Sequence, residues 1–166
     1  VAFILHPKKD LSNLQRSLSR PMAKGTPDYH DADLVLRVYE MRREAVMRAS
    51  RDAFNGKFWP ASYDDVKAVA TAGHELNAAY RQLGTYWEMV YGLVRHGIVH
   101  TDYFLETNGE GMFLWAKLEP YISQLRTDYN PNLLVNTEWV AKETDRGRAL
   151  AALFKARVEK VLASKK

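Results

Sequence analysis

A seven-residue repeat of apolar positions runs through residues 76–98, LNAAYRQLGTYWEMVYGLVRHGI. Two apolar series, four residues apart, make up the repeat: Leu76, Leu83 and Val90, and Tyr80, Trp87 and Val94. Such spacing gives a helix one continuous apolar stripe for lengthwise packing against other helices. The pattern therefore predicts a central helix. We expect it to end at His96-Gly97, because glycine readily takes the left-handed conformation that follows a helix.

The segment before the central helix opens with a helix-start signal. Ser62 and Asp65 have the spacing of a capping pair, in which each side chain binds the other's backbone N–H. Apolar residues at 66, 69 and 72 continue the phase of the central stripe. The helix is therefore either continuous from about 63 to 96 or broken at Gly73.

A first long helix is predicted from Asp31 or Asp33 to about Phe54, with Asn55-Gly56 ending it. Its polar face interleaves acids with arginines, which favours a solvated face stabilised by i,i+4 pairs over a nucleic-acid stripe. Arg42 falls instead within the apolar arc, and a buried arginine needs an acid or several carbonyl groups to face.

The remaining apolar periods predict further helices. A helix over 112–129 should kink or restart at Pro120, because proline lacks a backbone donor. A short helix is expected from Thr101 or Asp102, another over 133–140, and a final amphipathic helix over 145–163. The predicted fold is all-α, an antiparallel helical bundle of three to four long helices with short additional helices.

Length and composition indicate one domain. The 166 residues are 46% hydrophobic, enough for a single core, and we assign residues 28–166 to one helical domain. Residues 1–27 contain Ser, Pro and Gly, which predicts a partly disordered segment or linker with at most a short helix near 11–18. The absence of cysteine excludes disulfides and thiolate metal sites and fits a cytoplasmic location.

The chain has no apolar run of about 18 residues, the length of a membrane span. It begins with VAFIL rather than with Met, so these residues could be the remnant of an anchor ahead of them. We therefore expect membrane contact only through a missing N-terminal anchor, which would place the domain at the cytoplasmic face of a membrane.

The net charge of +4 is concentrated at the two ends, because residues 1–27 and 131–166 have excess Lys and Arg whereas 61–130 have excess acid. Basic ends can bind nucleic acid or anionic lipid. They more commonly only keep a protein in solution, so we expect no nucleic-acid partner and retain polyanion binding as an alternative.

Three charged residues flank the central stripe at seven-residue spacing: Arg81, Glu88 and Arg95. Such positions commonly form ion pairs between helices. We predict structural ion pairs here, with Arg42 as the first candidate partner of Glu88. The alternative is a ligand carboxylate or phosphate held by the two arginines.

A metal site is the second chemical candidate. His96 and His100 are four residues apart and Asp102 follows, and two histidines at that spacing on a helix can share a metal ion. However, Gly97 is expected to end the helix between them, so a histidine that only favours the helix dipole is the alternative.

Aromatic side chains are dense in the middle of the chain. Aromatics at helical spacing usually form core, but several tyrosine hydroxyls then need partners, so a pocket or an interface stays open. The candidates are Tyr80, Trp87, Tyr91, Trp115 and Tyr121. No phosphate-binding loop, dinucleotide fingerprint or nucleophile elbow occurs, so we predict no catalytic residue and no cofactor.

The stretches TYWEMVYGLVRHGIVHTDYF, WAKLEPYISQLRTDYN and EWVA resemble a bacterial family of small all-helical proteins classed as a domain of unknown function. The resemblance covers about residues 65–140. The motifs that carry it lie at Glu88 to Val99 and at Ile122 to Arg126. It implies an all-helical fold without an assigned activity, and in some members a membrane-anchoring helix ahead of the domain.

Taken together, the sequence predicts a non-enzymatic helical interaction domain that self-associates as a homo-oligomer or binds a protein partner. One alternative is a helical bundle that binds a metal or a small ligand. A second alternative is polyanion binding through the basic termini.

Overall fold

The computed structural model describes residues 24–165. The predicted short helix at 11–18, the VAFIL stretch and most of the N-terminal segment lie outside this range. The described part is helical, with these elements: α1 (Tyr29–Arg43), α2 (Ala45–Lys57), α3 (Tyr63–Ala70), α4 (Asn77–Arg95), α5 (Thr101–Thr107), α6 (Gly111–Leu118), a 3₁₀ turn (Glu119–Tyr121), α7 (Ile122–Asp128), α8 (Val135–Glu143) and α9 (Asp145–Ser164).

The prediction of a single helix over 31–54 is wrong, because the helix is interrupted at Glu44. There the backbone turns to φ −54°, ψ 143°, and the Glu44 carboxylate accepts hydrogen bonds from the N–H groups of Val46 (2.8 Å) and Met47 (3.1 Å). The side chain thus caps α2, compensating for the interrupted ladder. Asn55-Gly56 does not end α2, which continues to Lys57.

The predicted start at Ser62 is confirmed, with the reciprocal capping box to Asp65. Of the two outcomes for 63–96, the structure has the break: α3 ends at Ala70, Gly73 has φ 93°, and α4 begins at Asn77. The predicted end of the central helix is also confirmed, since Gly97 follows it at φ 66°.

Pro120 divides the predicted 112–129 helix into α6, the 3₁₀ turn and α7, as expected for a helix that restarts at proline. The short helix α5 starts at Thr101, but its cap is His100 rather than Thr101 or Asp102. Helices α8 and α9 lie close to the predicted ranges.

The core centres on α4, which packs against α2 and α8, while α9 packs against α6 and α8. Trp87, Tyr91, Phe54 and Phe104 are its largest fully buried apolar side chains. All eight residues of α6 are buried. The all-α class is confirmed, whereas the antiparallel bundle of three to four long helices stays a prediction. None of the helices between residues 24 and 165 has the length and apolar character needed to cross a membrane.

Candidate functional site

Glu88 serves a different role from the predicted ion pair. Its carboxylate accepts hydrogen bonds from the backbone N–H of Asn136 (2.7 Å), from the N–H of Thr137 (3.1 Å) and from the Thr137 hydroxyl (3.0 Å). These groups lie in the first turn of α8, and Leu134, the residue before that helix, supplies no side-chain cap. Glu88 therefore caps a helix that lies 48 residues away in the chain.

The two arginines flanking Glu88 differ in their surroundings. Arg95 donates to the Asn136 side-chain oxygen (3.0 Å), and the Asn136 amide nitrogen donates to the Glu88 carbonyl (3.1 Å). Arg95 thus joins the α4–α8 contact. Arg81 is exposed at the edge of a pocket.

The predicted Arg42–Glu88 pair is wrong. Arg42 lies 4.0 Å from the Glu110 carboxylate and donates to the Thr107 carbonyl (3.2 Å). Arg51 forms the stronger pair, since both its Nε and its Nη2 bind Glu110, at 2.7 Å for Nη2, and this contact raises the pKa of Arg51. Arg42 thus faces a carbonyl and an acid, and the acid stands at the start of α6, which the chain pattern did not indicate.

The structure does not gather His96, His100 and Asp102, the residues of the predicted metal site, into a group that could hold a metal ion. The backbone N–H of His100 donates to the buried Asp31 carboxylate (2.9 Å), while its Nδ1 accepts from the N–H of Tyr103 (3.2 Å). Both His96 and Asp102 are exposed. No group of three or more histidine, aspartate or glutamate side chains in the described range is placed to hold a metal ion.

The aromatic candidates divide into core and pocket residues. Trp87, Tyr91 and Trp115 are buried, and the Tyr91 hydroxyl donates to the Asn108 carbonyl (2.9 Å). Tyr80 and Tyr121 are half-buried and each lines a pocket. Burial raises the pKa of Tyr80 to about 12, so its hydroxyl stays protonated at neutral pH.

The pocket beside Tyr80 has a volume of about 160 Å³ and lies between α4 and the loop that leads into α8. Arg81, Glu88 and Leu134 also line it. Leu134 is buried at φ 53°, a conformation that costs a branched residue energy. Because Glu88 is already used as a cap, Arg81 is the charge left for a ligand here.

A larger open groove lies where the α1–α2 junction meets α4. We call it the methionine groove; its volume is about 370 Å³ and it is lined by Met41, Glu44, Met47, Gln82, Thr85, Tyr86 and Met89. Met47 and Tyr86 are buried, whereas 43% of Met41 and 55% of Met89 are exposed. The break at Glu44 turns α2 away from the line of α1 and so contributes to this groove.

Lys117 is a functional candidate that the sequence predictions missed. It lies on α6 within the run GMFLWAKL and is only 1% exposed. Burial, together with the nearby charges of Arg157 and Lys165, lowers the pKa of Lys117 to about 7. The sequence contains one signal for it: Lys117 is the only charged residue in this run of eight. A lysine within such an uncharged run is unusual, because lysine is rarely fully buried unless it is paired.

Comparison with known proteins identifies a family to which the chain is similar. No curated protein and no solved structure matches the chain. The sequence-based resemblance to a family without assigned function is confirmed, and the matched range begins earlier than the predicted one. Because a family model matches residues 28–144, more than half of the chain, the protein belongs to the family described as Domain of unknown function (DUF4760).

Proposed function

We propose that this domain is a protein-interaction module that self-associates through the methionine groove. The observation that carries the proposal is the exposure of large apolar side chains at the groove. Met41 and Met89, which both line the groove, are about half exposed. An apolar surface with a concave centre is typical of a binding site rather than of a solvated face.

The groove's side chains suit association. Methionine is flexible and polarisable, so two methionine-rich surfaces can adapt to each other. Beneath them, the Tyr86 hydroxyl donates to the Val38 carbonyl (2.8 Å), which fixes the buried ring and leaves the rim to adapt. The groove therefore combines a rigid floor with adaptable edges.

A second copy of the chain is the occupant that we favour. In a two-fold dimer the same patch meets itself, so it must be apolar at its centre and free of a strong excess of one charge. Glu44 is the charged residue among those lining the groove, and the rest are apolar or neutral. The net charge of +4 over 166 residues adds little repulsion between copies.

Sedimentation velocity over a range of protein concentrations tests the proposal. We expect a dimer that dissociates on dilution. Met89→Glu should convert it to a monomer at all concentrations, because each interface would then bury two unpaired carboxylates. Glutamate is a good helix former, so α4 itself should keep its stability.

Leu153→Glu is the matched control, because Leu153 is an exposed apolar residue on another helix, α9, and is 63% exposed. This variant should sediment like the unmodified protein. A protein that is monomeric at every concentration would disprove self-association. A dimer that persists in Met89→Glu, or is lost equally in Leu153→Glu, would show that the methionine groove is not the interface.

A further inference from the structure

The pocket between α4 and the loop that leads into α8, which we call the Arg81 pocket, is lined largely by apolar side chains. Leu118, Leu133 and Leu134 are among them, and Leu118 and Leu134 are buried, so the pocket reaches side chains of the core. Its volume of about 160 Å³ is close to that of an apolar cavity of about 150 Å³ that holds one benzene ring.

Gly84 leaves space on the α4 side of the Arg81 pocket. It lies within that helix and lines the pocket, and a Cβ added to it would meet no atom within 4 Å. Glycine within a helix is less stable than alanine, and neither a close contact nor a positive φ requires it here. Its effect is that the helix surface beside the pocket stays open.

The loop that forms another part of the Arg81 pocket is fixed by hydrogen bonds. The backbone N–H of Leu133 donates to the Asn130 carbonyl (3.0 Å), and that of Asn132 donates to the Asn130 side-chain oxygen (2.9 Å). Arg126 donates to the Leu133 carbonyl from Nε (3.0 Å) and from Nη2 (2.9 Å). A pocket fixed in this way loses little freedom when a ligand binds.

Arg81 and Glu88 are the charged residues that line the pocket. The Glu88 carboxylate already accepts three hydrogen bonds from Asn136 and Thr137. The Arg81 side chain is exposed, and no group of residues 24–165 forms an ion pair or a hydrogen bond with its guanidinium. The pocket therefore presents one positive charge that the described part of the chain does not pair.

The Tyr80 hydroxyl is a second polar group without a partner in the described range. Tyr80 is half-buried and lines the pocket. Its raised pKa keeps the hydroxyl protonated at neutral pH. Since tyrosine hydroxyls removed from water usually have a hydrogen-bond partner, an acceptor oxygen on a ligand would supply what the fold does not.

We propose that the Arg81 pocket binds a small monocarboxylate whose apolar part is about the size of one ring, with its carboxylate paired with Arg81. The planar guanidinium matches the two oxygens of a carboxylate, and the leucines provide the surface for the apolar part. A doubly charged anion such as phosphate fits less well, because Glu88 also lines the pocket. One negative charge at Arg81 lies about 10 Å from Glu88 along the axis of α4.

The proposal is separate from self-association through the methionine groove. Thr85 lines both sites, but its hydroxyl donates within α4, to the carbonyls of Arg81 (2.8 Å) and Gln82 (3.3 Å). Neither Met41 nor Met89 lines the Arg81 pocket. A failure of self-association would therefore leave the ligand proposal intact.

Titration of the full chain with benzoate, followed by NMR of the backbone amides, tests the proposal. We expect saturable binding in the millimolar range, with the largest shifts at the amides of Gly84, Leu133 and Leu134. Benzamide, which is uncharged and has the same ring, should bind several-fold more weakly. Absence of saturable shifts at these amides with benzoate would overturn the proposal.

Arg81→Gln tests the class of ligand. It should weaken binding of benzoate several-fold and leave binding of benzamide unchanged, because the charge serves only the carboxylate. Arg48→Gln is the matched control, since Arg48 is exposed on α2 and does not line the pocket; it should bind both compounds like the unmodified protein. An equal loss for benzoate and benzamide in Arg81→Gln would overturn the assignment to carboxylates.

Gly84→Leu tests the location of the site, because its side chain would occupy the open space beside the pocket. It should abolish binding of both compounds, while the amide spectrum shows that the fold is kept. Gly56→Leu is the matched control, since a Cβ at this exposed position of α2 also meets no atom within 4 Å; it should leave binding unchanged. Binding that persists in a folded Gly84→Leu variant would overturn the proposed site.

Discussion

At the scale of single residues, the buried amine of Lys117 gives the fold a dependence on pH. Its pKa is lowered to about 7 in the folded chain from the ordinary 10.5. Between these values the unfolded chain binds the proton and the folded chain does not. The free energy of unfolding must therefore rise with pH across this window, by up to about 1.4 kcal/mol per pH unit from this group.

We predict that Lys117→Met removes this rise. Methionine occupies a similar volume among the rings of Trp59, Phe113 and Phe54 that surround the amine without a charge, so stability near neutral pH should increase. Urea denaturation at several pH values between about 7 and 9 measures the slope. Burial raises the pKa values of Tyr80 and Tyr86 to about 12. These tyrosines lower the free energy of unfolding only at a pH where tyrosine in the unfolded chain ionises, near pH 10. Measurements between about pH 7 and 9 therefore avoid their contribution.

The exposed Lys160 on α9 provides the control, since Lys160→Met should keep the slope of the unmodified protein. Arg157 and Lys165 remain in both variants, so their charges do not account for a difference. If Lys117→Met has the same slope as the unmodified chain, the amine is charged in the fold and the assigned pH dependence is wrong.

Glu88 shows what residue spacing can and cannot predict. Its place beside the apolar stripe correctly indicated contact with another helix, because that follows from the period of α4 alone. Its partner could not be predicted, since Leu134, the residue before α8, is in the left-handed conformation and supplies no local cap. The free N–H groups of Asn136 and Thr137 are recognised as needing an acceptor only once the fold brings α4 to α8.

At the scale of elements, the helix ends that were predicted correctly are those with a local signal. The Ser62–Asp65 box, the left-handed Gly97 and the restart at Pro120 each follow from the chemistry of one or two adjacent residues. The break at Glu44 has no such signal, because the residues around it favour a helix. It exists because Glu44 caps α2 while Arg51 of that helix pairs with Glu110.

The junction between α8 and α9 gives a prediction of this kind. Gly147 lies so close to the end of α8 that an added Cβ would overlap the Val140 carbonyl oxygen and the Thr144 hydroxyl. That hydroxyl accepts from the Gly147 N–H (3.0 Å). We expect Gly147→Ala to lower the free energy of unfolding by about 1–3 kcal/mol or more, as for an overpacked site.

Gly56→Ala is the matched control, because Gly56 is exposed within α2 and nothing lies within 4 Å of its added Cβ. Alanine should stabilise this helix by about 0.5–1 kcal/mol. Urea denaturation of both variants measures the difference. Similar stabilities for the two variants would mean that α9 can shift away from Val140 without cost, which contradicts a fixed junction.

At the scale of the whole molecule, α9 lies beyond the range matched by the family, which ends at residue 144. Phe154 packs on Phe113 with 5.4 Å between ring centres, and Val158 is buried in the same cluster as Ala116. Helix α9 therefore covers one side of α6, which is otherwise enclosed by the central core. This packing accounts for the full burial of α6 and of Lys117 within it.

We predict that a chain ending at residue 144 is markedly less stable than the full chain. Removal of α9 would expose Phe113 and Ala116, and burial of such surface contributes about 25 cal/mol per Å². Thermal denaturation should show a melting temperature lower by several degrees, since about 1 kcal/mol corresponds to about 2–4 °C in a domain of this size. Binding of a hydrophobic dye should increase at the same time.

A chain ending at residue 163 is the control and should melt like the full chain, because it keeps Phe154 and Val158. If the shorter chain melts at the same temperature as the full chain, the residues matched by the family are stable without α9. A lower melting temperature would show that α9 and the matched residues form one structural unit.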